Sequence, residues 1–137
     1  MSLEEKIKLI PRELKSDGRG WFLKVITGQE DHLSPQVGEV YLVMAHPGQM
    51  RGGHYHRRTN EWFTVIQGTA VAVLMDPATG ERLERRLDDS NPITLFVPAG
   101  IAHAFQNPDS SHEAMLLIAY ADQLYDPLDT IYFVVVS

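Results

Sequence analysis

The sequence predicts an all-β fold in a single domain, and three observations carry that expectation. Short segments rich in β-branched and aromatic residues recur along the chain: VYLVMA (40–45), EWFTVI (61–66), AVAVLM (70–75), PITLFV (92–97), AMLLIAY (114–120) and IYFVVV (131–136). Turn-forming stretches rich in Pro and Gly separate them, namely HPGQ, MDPATG, SNPI, VPAG, NPDS and YDPLD. A chain of 137 residues with 44% hydrophobic content buries one core and is too short for two ordinary domains. The expected architecture is a sandwich or a small barrel.

In chain order, LEEKIKLIPREL begins with a Glu-Lys pattern suited to a short helix, but IKLI before Pro11 suits a strand better. HPGQ turns VYLVMA into the next strand, MRGGHYH, and the polar RRTN then predicts a hairpin into EWFTVIQG. DPATG reads as a hairpin tip after AVAVLM, and VPAG precedes a strand that starts near His103. Met44, Met50, Met75 and Met115 are candidate barrel-lining residues.

The composition narrows the chemistry. With no cysteine, disulfides and thiolate metal sites are excluded, and reactivity has to rest on His, carboxylates, Tyr and Arg. Twelve Lys and Arg against eighteen Asp and Glu give a net charge of -6, which opposes nucleic-acid binding through phosphate neutralisation. No run has the apolar length of a membrane span, and the acidic MSLEEKIKLI start is unlike a signal peptide, so a cytoplasmic protein is expected. No internal repeat or low-complexity tract suggests a linker.

One stretch stands out. His54 and His56 are two residues apart, so on a strand both imidazoles point to one face while Tyr55 points to the other. The expected hairpin returns Glu61 beside them, and His103 follows another turn as a fourth donor. Three imidazoles and one carboxylate suit a divalent metal such as Zn, Fe, Mn, Ni or Co, with positions left for water or substrate. A lone strand histidine is more often a surface or hydrogen-bonded residue; four donors in this order make the metal reading the stronger one.

The spacing resembles the cupin superfamily. Gly48, five residues, His54-Tyr55-His56, four residues, Glu61, six residues and Gly68 match its first motif, and Pro98-Ala99-Gly100, two residues, His103, three residues and Asn107 match the second. Pro92 stands where the second motif has a glycine. The resemblance implies a double-stranded β-helix, a jelly-roll-like barrel spanning 1–137, with His54, His56, Glu61 and His103 as metal ligands. It also implies a homodimer, with the N-terminal strand segment 1–30 crossing to the partner, since an exposed sheet edge needs cover.

Further segments are similar to sugar-nucleotide cupins. DGRGWF (17–22), MRGGHYH (50–56), PAGIAHAF (98–105) and YDPLDTIYF (125–133) resemble signatures of dTDP-4-keto-6-deoxyhexose 3,5-epimerases. They also resemble 3,4-ketoisomerases, and Gly52 to Ala70 resembles metal-binding cupin domains of capsule-sugar synthesis. This implies proton transfer next to the ketone of a nucleotide-linked 4-keto-6-deoxy sugar. Arg19, from the partner subunit, and Arg51 are then diphosphate ligands, with solvated surface charges as the plain alternative. Trp62 or Phe63 would stack on the substrate, although core packing is the commoner use.

His54 has two implied roles that conflict, because a metal ligand is not a free base. With metal bound, the base falls to Tyr120 or His46; without it, His54 takes the proton and Tyr120 is the acid. Glu61 favours metal, since a buried carboxylate needs charge compensation. Tyr120 could equally be a lining aromatic, His46 and His112 solvent-facing, and Asp126 and Asp129 simple turn residues. Two other classes fit the same donors: an iron-dependent cupin dioxygenase acting on a small organic substrate, and a non-catalytic small-molecule-binding cupin.

Overall fold

Alternation of buried and exposed residues along the strands builds two facing sheets. The structure, a computed structural model, describes residues 1–36 and 38–135. After a one-turn helix α1 (Leu3–Lys6), the strands run β1 (Lys8–Pro11), β2 (Leu14–Asp17), β3 (Gly20–Leu23), β4 (Glu39–Ala45), β5 (Met50–His56) and β6 (Glu61–Gln67). They continue β7 (Thr69–Met75), β8 (Arg82–Asp88), β9 (Ile93–Val97), β10 (Ala102–Gln106), β11 (Met115–Ala121) and β12 (Thr130–Tyr132). One sheet has the order β1-β9-β6-β11-β4 and the other β12-β5-β10-β7-β8, with β2 and β3 forming a separate hairpin. The strand pairs in both sheets are antiparallel. This is the cupin double-stranded β-helix, a jelly-roll-like barrel. No helix among the described residues is long and apolar enough to cross a membrane.

The core lies between the sheets. Phe63, Val65, Leu74, Leu95, Phe105, Met115 and Leu117 are among its buried members. A second, smaller cluster covers the outer face of the β5 sheet, where Val135 is buried against Val73, Ala102 and Ala104 with Met50, Tyr55 and Met75 beside them. Of the four methionines, only Met115 joins the central core; Met44 is exposed, and Met50 and Met75 pack outside the barrel.

Several expectations change here. LEEKIKLI divides into both alternatives, with Ser2 capping α1 in a reciprocal box with Glu5 before β1 begins. β1 pairs with β9 of its own chain, so the part of 1–30 that stands free of the sheets is the β2–β3 hairpin. β8 had no counterpart in the sequence reading, because RLERRLD offers only two leucines among charges, the composition of a protected sheet edge. IYFVVV contributes strand only over Thr130–Tyr132, and its Val136 lies outside the described residues.

The largest correction concerns RRTN. β5 and β6 do not form a hairpin, since they belong to different sheets. The 57–60 link crosses between the layers and is pinned at each step: Asp129 accepts from Arg58 N at 2.8 Å and from Thr59 Oγ1 at 2.5 Å. Asn60 donates through N and Nδ2 to Asp122, and its Oδ1 accepts from Ala99 N. Asp129 is therefore an organising residue as well as a turn former.

Candidate functional site

His54 and His56 project from β5 toward the facing sheet, as their two-residue spacing dictates. A bulge sets their register. His103 lies opposite His54, but Ala104 lies opposite Gly52, so the ladder slips by one residue at Gly53. Gly52 and Gly53 have φ of 98° and 88°, a left-handed backbone that glycine adopts without strain. Gly52 also brings its backbone against β10: a Cβ there would lie 2.9 Å from the His103 carbonyl oxygen.

Glu61 reaches the imidazoles from the opposite sheet, as the first residue of β6. Its Oε1 lies 2.8 Å from His56 Nε2 and 3.3 Å from His103 Nε2. One ligand atom from each of His54, His56, Glu61 and His103 lies within 4.8 Å of the others. The three rings face one another, with centroids 5.0 Å apart for His54–His56, 4.9 Å for His54–His103 and 5.9 Å for His56–His103. The structure thus brings together the four side chains that the sequence grouped, although Glu61 arrives from the other sheet and not by a hairpin.

The electrostatics suit a cation. His103 Nδ1 lies 3.1 Å from Ile101 O, which can only accept, so that nitrogen carries a proton and Nε2 is the ring atom turned toward Glu61. His103 Nε2 and Glu61 Oε1 are both buried without a well-aligned hydrogen bond, an arrangement that costs free energy unless a positive charge lies between them. Burial, then the neighbouring imidazoles of His103 and His56, pushes His54 down to about 4. Burial alone would lower His56, but the Glu61 carboxylate raises it above the ordinary histidine value. Burial opposes ionisation of Glu61, yet His103 and His56 hold it well below the usual carboxylate range. Thr130 Oγ1, 3.2 Å from His56 Nδ1, adds an outer contact of the kind that orients metal-binding imidazoles. The residues present fit a divalent metal.

The cluster lies beside a cavity of about 280 Å³ whose wall includes Glu39, Tyr41, Leu124, Tyr125 and Asp126. Tyr41 and Glu39 are residues the sequence reading missed. They share the inward face of β4, and Tyr41 donates its phenol to Glu61 Oε2. Burial, then the Glu61 charge, pushes that phenol well above its usual range. Glu39 Oε1 accepts from Tyr125 N at 3.0 Å.

Other sequence candidates lie elsewhere. Tyr120 and Trp62 face each other in register on the outer side of the sheet, while the neighbouring Glu61 and Ala121 point inward. Trp62 is 1% exposed and packs on Phe96 and Tyr120, and the Tyr120 hydroxyl donates to Gln36 O. Tyr120 is therefore separated from the imidazoles by the sheet itself, a correction that follows from strand parity. Phe63 points inward but is buried against His103 and Phe105, so it backs the cluster. Arg51 donates to Met44 O at 2.9 Å, and His46 is exposed in the β4–β5 turn; neither belongs to the wall of this cavity. Arg19 sits at the tip of the free hairpin with its side chain 92% exposed, paired with Asp17.

Comparison with known proteins agrees with this fold. The chain is 27% identical over 96 residues to the spore coat polysaccharide biosynthesis protein SpsL of Bacillus subtilis, covering 66% of this chain and 63% of that protein. It is 27% identical over 113 residues to a UDP-2-acetamido-2,6-beta-L-arabino-hexul-4-ose reductase of Pseudomonas aeruginosa, covering 82% of this chain and 28% of that protein. The chain thus spans less than two thirds of either relative. The crystal structure of a dTDP sugar isomerase from Desulfovibrio desulfuricans superposes with a TM-score of 0.84 at 19% identity, covering 93% of this chain and 83% of that one. The model of a family described as the polysaccharide biosynthesis C-terminal domain matches residues 15–131. With the barrel, the cavity and this match together, the chain belongs to the polysaccharide biosynthesis C-terminal domain family.

Proposed function

We propose that the protein is a metal-dependent epimerase or ketoisomerase of a nucleotide-linked 4-keto-6-deoxy sugar, with His54, His56, Glu61 and His103 as metal ligands. The observation that carries the reading is the convergence of four buried or half-buried donors beside an open cavity, two of them lacking hydrogen-bond partners. The kinship with polysaccharide-biosynthesis proteins supports the substrate class: one relative's name includes a UDP-linked hexul-4-ose and a structural neighbour is a dTDP sugar isomerase. His54, His56, Glu61 and His103 would hold a Zn, Fe, Mn or Ni ion, which would supply Lewis-acid polarisation of a carbonyl and so make the adjacent C–H more acidic.

The chain's own groups divide the remaining tasks. His54 is held neutral by its burial and its neighbours, so at pH 7 it offers a lone pair. As a ligand it is not the base, and Tyr120 on the outer face does not reach the cavity. Of the other carboxylates on the cavity wall, Asp126 and Asp129 are paired with Arg58, which leaves Glu39, beside Tyr41, to accept the proton. Tyr125 and Leu124, both largely exposed at the rim, offer apolar surface to the sugar or base.

The reading includes a homodimer. The outward row Val40, Leu42 and Met44 on the free edge strand β4 is 66%, 61% and 41% exposed, and the β2–β3 hairpin exposes Trp21 and Phe22 at 58% each. A hairpin docking on a partner's outer face would bury both apolar sets and carry Arg19 toward the partner's substrate diphosphate.

Proton exchange tests the reaction. Metal-loaded protein is incubated in deuterated water with a dTDP- or UDP-4-keto-6-deoxyhexose, and the sugar ring protons are followed by NMR. Metal-dependent deuterium uptake at C3 or C5 is expected, and it should fall at least tenfold in Glu39→Gln. Exchange that persists after chelation would transfer the base role to His54 in a metal-free mechanism. No exchange above the protein-free control would refute the enzyme reading.

A further inference from the structure

Tyr41 occupies a position that ordinary core packing does not explain. It is a half-buried phenol on an edge strand, directed inward, with its hydroxyl on a carboxylate two strands away. The register shows how it gets there. Tyr41 lies opposite Ala119 on β11, and Glu61 on β6 lies opposite Ala121. The two inward residues of the intervening strand are thus alanines, both buried, and their small side chains leave a channel through which the phenol crosses to Glu61.

The two oxygens of Glu61 have different surroundings. Oε2 takes the Tyr41 hydroxyl, whereas Oε1 faces His56 Nε2 and His103 Nε2 and has no aligned donor. We infer that Tyr41 is a positioning residue of the metal centre: by engaging Oε2 it commits Glu61 to offer a single oxygen, Oε1, to the cation. The inference rests on the metal-centred reading above and adds to it the denticity of the carboxylate and the residue that sets it. A carboxylate free to turn could offer both oxygens, filling a position that a one-oxygen ligand leaves to substrate. Tyr41 does not touch that position itself; it acts through Glu61.

The test uses purified wild-type protein, Tyr41→Phe, Glu61→Gln and the double variant, each titrated with Co(II) and followed by its visible d–d absorption. Tyr41→Phe should weaken Co(II) binding about 10- to 100-fold, the usual effect of removing an outer-shell partner, and should alter the band shape. In the Glu61→Gln background the same change should cost less than about twofold, because its route is gone. Tyr120→Phe, on the outer face, should leave binding unchanged. X-ray absorption of the Zn-loaded wild-type protein gives a readout that no variant's folding affects, and a one-oxygen carboxylate is expected.

A folded Tyr41→Phe that binds Co(II) with unchanged affinity and spectrum overturns the positioning role alone, as does a bidentate carboxylate in the wild-type protein. Wild-type protein that binds neither Co(II) nor Zn(II) overturns the metal reading and this inference together.

Discussion

Replacing Gly52 with alanine tests the link between backbone and site most directly. At φ of 98° a side chain is strained, at a cost of about 1–3 kcal/mol for a residue held in so sparsely populated a region. The new Cβ would also lie 2.9 Å from His103 O and 3.1 Å from Ala104 Cα, both backbone atoms of a central strand that cannot swing aside. A further cost of about 1–2 kcal/mol for overpacking brings the total to roughly 2–5 kcal/mol. At a few degrees per kcal/mol for a domain of this size, the melting temperature should fall by on the order of 10 °C. Gly80→Ala is the control, since its φ is 79° but nothing lies within 4 Å of the added Cβ. It carries the backbone strain alone. Thermal unfolding by circular dichroism compares the two, and Co(II) titration of Gly52→Ala should show weaker binding because His103 is displaced. If both variants melt within about 2 °C of each other and Gly52→Ala binds Co(II) like the wild type, the argument from the close strand approach is wrong.

Three more outcomes are expected. Glu61→Gln should keep the fold by circular dichroism and lose metal affinity by more than about 100-fold, beyond the effect of an outer-shell change; undiminished metal content by elemental analysis would remove Glu61 from the ligand set. Burial works against ionisation of Glu30, but Thr27 N and the Arg12 guanidinium at 2.6 Å lower its pKa from 4.5 to about 2. Because the folded value is depressed, its stabilisation of about 3 kcal/mol is fully present above pH 4.5 and lost as pH falls toward 2. Urea unfolding between pH 2 and 6 should therefore show that slope for the wild type and a weaker one for Glu30→Gln. Leu42→Asp, at a position 61% exposed in the single chain, should change monomer stability by less than about 1 kcal/mol and halve the mass seen by light scattering; an unchanged dimer mass would mean that this face is not the interface.

The parts of the fold readable from sequence were those governed by local rules. Two-residue periodicity put His54 and His56 on one face whatever the partners of β5 proved to be. The DPATG turn joins β7 to β8 as a hairpin tip should. What was not readable depended on register between distant segments. Only the order β6-β11-β4 shows that Tyr41 reaches Glu61, while Tyr120 is excluded by falling on the outer side of its strand. RRTN looked like a hairpin because its composition is that of any polar turn. Whether such a turn stays in one sheet or crosses to the other depends on Asp122 and Asp129, more than sixty residues away.

The donor set is divided between the layers, with three imidazoles on one sheet and the carboxylate on the other. The width of the site is therefore the thickness of the core. Leu95 and Leu117, neither of them paired in register with a donor, act as spacers that set how far Glu61 stands from the histidines. Trimming one of them would let the layers settle closer or tilt. Substitutions at such remote positions should thus appear first as altered selectivity among ions of different radius, before any loss of folding is measurable.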